Sequence, residues 1–480
     1  MKIKEKIRFE KVASATGSLM ISGDPKIWIK NISTDTRTIK KGDFFIPISG
    51  DNFDGHDFIK DAVLAGAGGF VYEKSSKGKI IKILEGPEKN SQGGPLIIET
   101  ENSLDFLKKL AADYLKRFKV IVIGITGSVG KTTTKNLIAG ILSIGSNIVY
   151  TPKNFNTEIG VSKTIFSIDG DTDYFIVELG MRGKNQIGPL ARLSNVSIGA
   201  ITSIGNSHME FFKDIREIAS AKAEIAGPIK KNRGKLFLNA NDSMTPFIRD
   251  STGADIIEFG RYSGPDYSFV ETGYDKWGRF SFDFFKHDKK IIKVKMGLPG
   301  YHNLYNGCLA AAICHYAGID SSIIKKGIEN AKMEKHRMNL IKCGHMTILD
   351  DCYNASPISV KSAIDTLLLI SSKNNRRPVA ILADMLELGR AAPDLHYEMG
   401  VYCAKKNIDV LIASGKLAKN ICRGFEDEIK EGKSTCFHFN DRHDLKNGLK
   451  DIIKTEDIVL VKGSRANKME DIISYFQDRP

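Results

Sequence analysis

Short apolar runs recur along the chain, separated by longer segments in which apolar residues have helical spacing. Past residue 102, four of these runs predict β-strands at residues 120–125, 174–179, 198–204 and 235–238. Strands that alternate with helices in this way form a mainly parallel sheet. The pattern therefore predicts an α/β domain in this part of the chain.

A second series of apolar runs follows. Its strand candidates are the segments MTILDD, PVAILAD, VLIAS and DIVLVKG. Continuous apolar runs are typical of strands that are buried on both faces of a sheet. Each run ends in a polar or glycine-bearing stretch, and open α/β sheets bind ligands outside the carboxyl ends of their strands. We predict a second, Rossmann-like α/β domain here.

The first hundred residues contain shorter strand-like pieces, namely DFFIPI, GGFVYE and PLIIET. The polar, glycine-rich stretch at residues 77–95 is interpreted as a loop. A chain of 480 residues is too long for one ordinary core. We predict an α/β protein of three domains: a small N-terminal α/β domain at 1–101, a central domain with a mainly parallel sheet at 102–334, and a Rossmann-like domain at 335–480.

Composition narrows the class of protein. Hydrophobic residues at 42% and charged residues at 26% are typical of a soluble globular protein. The basic N-terminus has no apolar core of a secretory signal, and no apolar run approaches the ~18 residues that span a bilayer. Seven cysteines, an odd number without CxxC spacing, indicate reduced thiols in the cytoplasm. We interpret Cys352 as a buried strand residue, since nothing nearby in sequence lowers its pKa.

The net charge of +13 raises the possibility of a nucleic-acid partner. The lysines are spread along the whole chain, however, without a basic block or basic–aromatic alternation. A solvated surface, or attraction to a small polyanionic substrate, explains the charge as well. We expect no nucleic-acid partner and no membrane insertion.

The stretch GITGSVGKTTTKN, at residues 124–136, predicts a phosphate site between a strand and a helix. Gly127 and Gly130 let the backbone bring amide groups toward phosphates, Lys131 supplies a cation, and Thr132 supplies a hydroxyl for Mg²⁺. Ile125 occupies the first glycine position of the longer consensus, which leaves the shorter form GxxGKT. The alternative is an ordinary strand–turn–helix connection.

Three further residues are candidates for metal chemistry at the same sheet edge. Glu178 ends an apolar run, His208 follows another, and Lys222 lies on a predicted helix. Each also has an ordinary explanation: a strand-end acid, a loop histidine and a solvated lysine. Together with the phosphate loop they indicate a Mg²⁺ site.

These motifs resemble the Mur ligases, ATP-dependent amide-forming enzymes of peptidoglycan precursor synthesis. The resemblance runs over almost the whole chain, through TPKNFNTEIGVSKTIF, ELGM, IGNSHMEFF, AKAEI, GYHNLYNGCLAAA and KHRMNL. It implies ATP, two Mg²⁺ ions and a carbamate on Lys222 that helps to hold the second ion. The implied ATP-binding residues are Gly127, Ser128, Gly130, Lys131, Thr132, Thr133, Asn303, Arg337 and Asp351. The implied metal-binding residues are Thr132, Glu178, His208 and Lys222, and the implied catalytic residues are Lys131, Lys222, His208 and Arg337.

The block DDCYNASP, and ADMLELG followed by His396, resemble the subgroup that joins D-alanyl-D-alanine to a UDP-MurNAc-tripeptide. Ser356 departs from the asparagine usual in that block, which could alter contacts to the dipeptide. The resemblance implies a UDP-sugar site on the N-terminal domain, dipeptide binding near the C-terminal domain, and a monomer. The implied UDP-sugar residues are Asp35, Arg37, Asn154, Asn156, Thr157 and Arg182. The implied dipeptide residues are Tyr353, Asn354, Ser356, Lys462 and Arg465; Lys462 and Arg465 could instead form a solvated helix start.

Three alternatives stay open at this point. The chain could be a ligase that adds a single amino acid or glutamate, a nucleotide switch that makes no covalent product, or a basic nucleic-acid-binding protein. Amine-dependent consumption of ATP separates the ligases from the switch, and steep salt dependence would mark nucleic-acid binding.

Overall fold

The computed structural model describes residues 2–50, 53–84, 95–207, 209–429 and 434–478. His208, one of the predicted metal ligands, lies outside these residues. The chain forms two compact units. One comprises Met1–Gly124, Ser146–Gly180 and Gly188–Ser197, and the other comprises Ile125–Gly145, Met181–Ile187 and Ile198–Pro480. The domain boundaries near residues 101 and 335 stay predictions.

The first sheet has six strands in the order β1-β3-β4-β5-β6-β2. They are β1 (Lys2–Arg8), β2 (Leu19–Ser22), β3 (Trp28–Ser33), β4 (Phe44–Phe45), β5 (Gly69–Glu73) and β6 (Leu96–Thr100). The accompanying helices are α1 (Phe9–Thr16), α2 (Ile59–Leu64), α3 (Lys77–Leu84) and α4 (Ser103–Leu115). Strands β3 to β6 pair in parallel, while β1 and β2 pair antiparallel at the two edges.

The interpretation of residues 77–95 as a loop was wrong in its first part. Helix α3 occupies Lys77–Leu84, and residues 85–94 lie outside the described residues. Ile80 is buried against Phe45 and Tyr72 in the core of the first sheet. Burial of one apolar side chain, which sequence pattern does not show, stabilises a helix in a segment of turn-like composition.

The second sheet has nine strands in the order β15-β14-β13-β12-β11-β10-β7-β9-β8. They are β7 (Ile121–Thr126), β8 (Ile148–Tyr150), β9 (Tyr174–Glu178), β10 (Ile198–Ile201), β11 (Lys235–Asn239), β12 (Ile256–Arg261), β13 (Tyr267–Tyr274), β14 (Arg279–Lys286) and β15 (Lys289–Pro299). Its helices are α5 (Lys131–Leu142), α6 (Glu158–Ile165), α7 (Ile187–Leu193), α8 (Ile215–Ala223), α9 (Ala226–Lys231), α10 (Thr245–Thr252), α11 (His302–Tyr316) and α12 (Ser321–Glu329).

The four predicted central strands are confirmed as β7, β9, β10 and β11, and the mainly parallel character of the sheet is confirmed. The sequence pattern did not predict the antiparallel addition of β14 and β15. In β14 every second side chain is buried and the others face outward. Such half-exposed strands lack the continuous apolar run that marks a buried parallel strand.

The third sheet has six strands in the order β16-β17-β21-β18-β19-β20. They are β16 (Asn339–Cys343), β17 (Met346–Asp351), β18 (Pro378–Ala383), β19 (Val410–Ser414), β20 (Thr435–Phe439) and β21 (Ile458–Lys462). Its helices are α13 (Pro357–Asn374), α14 (Ala392–Lys405), α15 (Lys419–Glu428), α16 (Arg442–Ile452) and α17 (Glu470–Gln477). All described pairs are parallel except that of β16 with β17.

Helices cover both faces of this third sheet. One hydrophobic core joins Leu382 to residues of α13, α14 and α15, and the other joins Ile381 to residues of α16 and α17. Neighbouring strand residues thus face opposite cores, as in a doubly wound fold. The predicted Rossmann-like arrangement is confirmed.

The cysteines depart from prediction in two ways. Cys422 and Cys436 form a disulfide, with their Cα atoms 5.9 Å apart, although only reduced thiols were predicted. Packing of α15 against β20 brings this pair into bonding range, which residue spacing does not show. Cys352 is buried as predicted but follows β17 rather than lying within it. Among the described residues, no helix is both long and apolar enough to cross a bilayer.

Candidate active site

The phosphate loop, which we define as residues 127–132, connects the buried end of β7 to the start of α5. Gly127 has φ +150° and Gly130 has φ +87°, values that favour glycine. No side chain of the described residues caps α5 at its N-cap, Gly130. Backbone amides and the positive end of a helix dipole therefore meet at the loop, an arrangement that suits an anion.

The segment after β10 holds this loop in place. Ser128 donates from its backbone N to Ser203 O at 2.8 Å and from its hydroxyl to Gly205 O at 3.0 Å. The Thr202 hydroxyl donates to Val129 O at 2.5 Å. These bonds join two strand ends of one sheet and preorganise the loop before a ligand arrives. Thr202 was not predicted to be a site residue, although it lies two residues before the quoted block IGNSHMEFF.

Lys131 lies over the phosphate loop. Its Nζ donates to Gly127 O at 2.6 Å and to Ser128 O at 3.2 Å. The ammonium is therefore held at the loop backbone, where an anion would bind. Thr132, the predicted hydroxyl ligand, is buried beside it at the start of α5.

Lys222 is fully buried near the end of α8, so its interpretation as a solvated lysine is wrong. Burial lowers the pKa of Lys222 well below that of an ordinary lysine, and the positive charge of Lys131 lowers it further. A lowered pKa increases the fraction of the neutral amine, which is the nucleophilic form of a lysine. The prediction that Lys222 lies on a helix is confirmed.

Glu178 ends β9 and is buried, with a side-chain exposure of 3%. Asn156 donates to Glu178 Oε1 at 3.1 Å, and the Glu178 backbone N donates to the Thr151 hydroxyl at 3.0 Å. A buried carboxylate at a strand end, oriented by an amide side chain, offers a hard oxygen ligand.

Helix α11 carries two hydrogen-bonded asparagines, of which Asn306 lies against the phosphate loop. Asn303 donates to Pro299 O at 2.6 Å and accepts from Asn306 Nδ2 at 2.9 Å. Asn306 accepts a hydrogen bond from the Thr134 hydroxyl at 3.3 Å. A Cβ atom added to Gly130 would lie 2.5 Å from Asn306 Oδ1, so Asn306 requires glycine there. Asn306 was missed, although it lies one helical turn from the predicted Asn303.

The Arg337 cleft, a depression of about 350 Å³, is lined by Thr133, Asn136, Leu137, Lys326, Met333 and Arg337 among others. Two predicted ATP-binding residues, Thr133 and Arg337, therefore share one cleft. The Arg337 guanidinium lies 4.0 Å from the centre of the Tyr353 ring. Its Nε pairs with Glu334 Oε2 at 3.5 Å, a distance at which the two buried atoms form an ion pair but no hydrogen bond. A guanidinium N–H whose hydrogen bond is not made is suited to an anionic oxygen of a ligand.

Asp351 and Lys462 form an ion pair at the carboxyl ends of β17 and β21. Lys462 is buried and donates to Asp351 Oδ2 at 2.5 Å and to Asn354 O at 2.9 Å. Asp351 lies directly opposite Lys462 in the parallel register of the two strands, which accounts for the pair. The alternative of a solvated helix start is thus wrong for Lys462. Arg465 is exposed and pairs with Glu470.

Ser356 is the N-cap of α13 and forms a capping box with Ser359. The Ser356 backbone N donates to the Ser359 hydroxyl at 2.9 Å. Serine and asparagine are about equally good N-caps. The departure from asparagine therefore leaves the helix start intact. His396 is buried, where it accepts from Met385 N at 2.9 Å.

The Asp35 cleft, of about 490 Å³, lies within the other compact unit. Its lining includes Ser33, Asp35, Tyr150, Phe155, Lys163 and Thr164. Burial lowers the pKa of Lys163, against the opposing effect of the Asp35 carboxylate. Lys163 was missed, although it lies in the quoted block TPKNFNTEIGVSK.

The other predicted UDP-sugar residues do not line the Asp35 cleft. Arg37 is exposed and pairs with Asp35, which lowers the pKa of that carboxyl. Asn154 is exposed, and Thr157 caps α6. Arg182 is exposed, with its backbone N donating to Gln186. Of the six predicted residues, the described structure places Asp35 in the cleft lining.

Three domain families match consecutive parts of the chain. The catalytic domain of the Mur ligase family matches residues 28–115, the Mur ligase middle domain residues 125–314, and the Mur ligase glutamate ligase domain residues 336–465. The chain belongs to the Mur ligase family. The phosphate loop lies in the middle domain, and the Asp351–Lys462 pair lies in the glutamate ligase domain.

Relatives of this Mur ligase are similar over nearly their full length. A protein of Bacillus subtilis (strain 168), named UDP-N-acetylmuramoyl-tripeptide–D-alanyl-D-alanine ligase, is 31% identical over 94% of both chains. A protein of the same name from Escherichia coli (strain K12) is 27% identical over 94% of both chains.

Solved structures show the same three-domain α/β architecture. A crystal structure of MurF from Acinetobacter baumannii superposes with a TM-score of 0.88 and 26% identity, covering 99% of both chains. The structure of MurF ligase from Thermotoga maritima in complex with ADP has a TM-score of 0.77 and 26% identity, over 93% of this Mur ligase and 97% of that chain.

Proposed function

We propose that this chain is an ATP-dependent ligase that joins D-alanyl-D-alanine to a UDP-N-acetylmuramoyl-tripeptide. The observation that carries the proposal is the preorganised phosphate loop with Lys131, in a chain similar over almost its full length to ligases of that name. The T. maritima relative binds ADP, which supports ATP as the nucleotide. The product would be the UDP-MurNAc-pentapeptide for peptidoglycan synthesis.

The reaction needs activation because a carboxylate is a poor electrophile. We propose that a carboxylate oxygen of the tripeptide attacks the γ-phosphorus of ATP, and the bond to the ADP oxygen breaks. The dipeptide amine then attacks the acyl carbon, loses its proton, and displaces phosphate to leave the amide. Lys131 and the amides of the phosphate loop would hold the phosphates in line and stabilise the charge on the transferring oxygens.

The donor set fits Mg²⁺. Thr132 offers a buried hydroxyl and Glu178 a buried carboxylate, and both are hard oxygen ligands. When bound, the proposed two Mg²⁺ ions neutralise charge on the phosphoryl oxygens. Thr132 and Glu178 would hold them, together with Lys222 in its carboxylated form and the predicted ligand His208.

We propose that Lys222 carries this carbamate. A neutral amine attacks CO₂ and releases one proton, and burial favours the neutral form of Lys222 by lowering its pKa. The carbamate is an anion beside the cation of Lys131. The repulsion between two lysine ammonium groups is thereby replaced by an attraction between a carbamate and an ammonium. An ammonium at this position would repel Mg²⁺, whereas a carbamate oxygen can bind it.

The rest of the nucleotide would occupy the Arg337 cleft. Its position beside Thr133 of α5, and the Arg337 Nε that has an ion pair with Glu334 but no hydrogen bond, support binding of an anionic oxygen of the nucleotide there. We propose that Asp351 lies near the ribose and Asn303 near the adenine. Asn303 already binds Pro299 and Asn306 in this structure, so its contribution would be to shape the site as much as to contact the base.

We propose that the UDP-sugar binds in the Asp35 cleft, whose volume and mixed apolar and charged lining suit a nucleotide sugar. Lys163 supplies a half-buried cation for an anionic group. Arg37, Asn154, Asn156, Thr157 and Arg182 remain proposed contacts to the same substrate.

We propose that the dipeptide binds at the carboxyl ends of the strands in the third sheet. Tyr353, Asn354 and Ser356 follow β17, and Lys462 holds Asn354 through its carbonyl. Because Lys462 is already paired with Asp351, we assign it the role of positioning this segment rather than binding the dipeptide carboxylate. Arg465, three residues after Lys462, is exposed and remains a proposed contact to the dipeptide.

Phosphate release tests the proposed reaction. The full chain is supplied with ATP, Mg²⁺ and UDP-MurNAc-tripeptide, with D-alanyl-D-alanine or with single amino acids. We expect release to need both substrates, with a strong preference for the dipeptide, because the amine completes turnover. Equal support by a single amino acid would assign the chain to another ligase, and release indifferent to every amine would contradict the ligase proposal.

Substitution of Gly127 by alanine is expected to weaken ATP binding by at least about tenfold. A Cβ at this position would lie 1.9 Å from the Thr202 hydroxyl oxygen, and φ is +150°. The clash must displace the segment that holds the phosphate loop. Gly145→Ala is the matched control, since its Cβ would meet nothing within 4 Å. Calorimetric titration with ATP measures the effect, and equal affinities in both variants would contradict it.

A further inference from the structure

A second group of potential metal ligands lies outside the residues assigned to ATP and its Mg²⁺. His336 Nδ1 is 2.9 Å from Asp350 Oδ2, and Cys352 Sγ is 2.9 Å from Asp350 Oδ1. Cys352 Sγ is also 3.4 Å from His336 Nδ1. We call these three residues the His336 cluster. One nitrogen, one oxygen and one sulfur donor therefore converge within 4.8 Å of one another.

The backbone holds these three side chains together. Asp350 lies in β17 and Cys352 directly follows the strand, and the hydrogen bond from Cys352 Sγ to Asp350 Oδ1 places their side chains on the same side. His336 has φ +65°, an uncommon value for a non-glycine residue. Its carbonyl accepts from Tyr353 N at 3.0 Å, which ties the preceding loop to the strand end. The cluster is thus built by two segments whose relative position the main chain determines.

A nucleophilic cysteine is the first alternative explanation. The Cys352 thiol donates to Asp350 Oδ1 at 2.9 Å, whereas its contact with His336 Nδ1 is longer, at 3.4 Å, and that nitrogen lies closer to Asp350 Oδ2, at 2.9 Å. Burial and the Asp350 carboxylate both raise the pKa of Cys352. A thiol held protonated in this way is a poor nucleophile. The geometry therefore disfavours a Cys–His catalytic pair.

The donor types indicate what the cluster can bind. Imidazole, carboxylate and thiolate are the usual ligands of Zn²⁺, whereas Mg²⁺ and Ca²⁺ prefer oxygen and avoid thiolate. We propose that His336, Asp350 and Cys352 form a site for a divalent transition-metal ion of the Zn²⁺ class. The bond from sulfur to the ion replaces the S–H bond, and the thiol proton leaves to solvent.

A second carboxylate, that of Glu470, lies close enough to the cluster to act on it electrostatically. Glu470 Oε1 pairs with Arg465 at 2.9 Å, while Glu470 Oε2 is buried without a hydrogen-bond partner among the described residues. The Glu470 charge acts on Cys352. Glu470 is the candidate for a fourth ligand, and His336, with 18% of its side chain exposed, offers the route of entry from solvent.

The test is metal binding by the full chain without nucleotide or Mg²⁺, so that its result is independent of the ligase reaction. Co²⁺ serves as the spectroscopic probe and Zn²⁺ as its competitor. We expect bound Co²⁺ to give a thiolate-to-cobalt charge-transfer band that Zn²⁺ displaces, since Cys352 is a ligand of this cluster and the proposed Mg²⁺ ligands include no thiol. Cys352→Ser should abolish the band and weaken Zn²⁺ binding by at least about tenfold.

Cys343→Ser is the matched control, because Cys343 is a free, half-buried thiol on the neighbouring strand β16. It should keep both the band and the affinity. His336→Gln, at a partly exposed side chain, should also weaken Zn²⁺ binding, and it guards against misfolding of the buried Cys352 variant. Absence of a thiolate band, or a band that survives Cys352→Ser, would overturn the proposal and leave the cluster as a hydrogen-bond network. Ligase activity in the phosphate-release assay is scored separately.

Discussion

Lys222→Ala is expected to lower the ligase rate at least about a hundredfold, as for the loss of one charge-stabilising group in other active sites. The buried amine would no longer be available for carboxylation, and the proposed Mg²⁺ site would lose an anionic ligand. The phosphate-release assay measures this loss. Lys222→Arg should be equally inactive, since a guanidinium remains protonated and does not take up CO₂.

Two further measurements separate the carbamate from an ordinary structural role. Formate or acetate should partly restore Lys222→Ala, because a small carboxylate can enter the space that the side chain leaves. Protein equilibrated with ¹³C-bicarbonate should show a carbamate signal that Lys222→Ala lacks. Because burial lowers the pKa of Lys222, its reactive neutral amine should persist to lower pH than that of an exposed lysine and disappear as pH falls through the lowered pKa. An active Lys222→Arg variant would contradict the carbamate.

Lys131→Ala is expected to lower kcat/KM for ATP by about 10²- to 10³-fold. The ammonium is held at the phosphate loop by Gly127 O and Ser128 O, where it would meet the β- and γ-phosphates. Steady-state kinetics measures the change, with ATP varied and with the UDP-MurNAc-tripeptide and D-alanyl-D-alanine both saturating. Loss of the cation also removes one cause of the lowered pKa of Lys222, so the two substitutions should be non-additive in a double-mutant cycle.

The control for Lys131→Ala is Lys289→Ala, an exposed lysine at the start of β15 in the same compact unit. It changes net charge equally and should leave kcat/KM unchanged within about twofold, since exposed surface charges contribute little. Thermal unfolding of both variants checks that the phosphate loop is still folded. Equal activity of Lys131→Ala and the wild-type chain would rule out the proposed role of the ammonium.

The local pattern of the sequence was sufficient to predict the phosphate loop and most of the parallel strands. Gly127 and Gly130 have positive φ values that favour glycine, and they lie within one short, continuous motif of the sequence. Strands β7, β17 and β21 are buried on both faces, so each appears as a continuous apolar run. The edge hairpin of β14 and β15 was missed because only one of its faces is buried.

The environment of each side chain was decided by contacts between distant segments. Lys222 looks like a surface lysine in sequence, yet packing around α8 buries it and changes its chemistry. Lys462 and Asp351 meet across 111 residues because β17 and β21 pair in parallel register. The His336 cluster and the Cys422–Cys436 disulfide likewise depend on how elements pack.

The sequence alone therefore determined the α/β class, the phosphate loop and the family, because these depend on short-range backbone requirements and on contiguous motifs. Only the tertiary structure decided which ionisable groups are buried, which are paired, and which share a cleft. Burial and pairing set the pKa and the ligand capacity of a side chain, and both depend on neighbours that are remote in sequence.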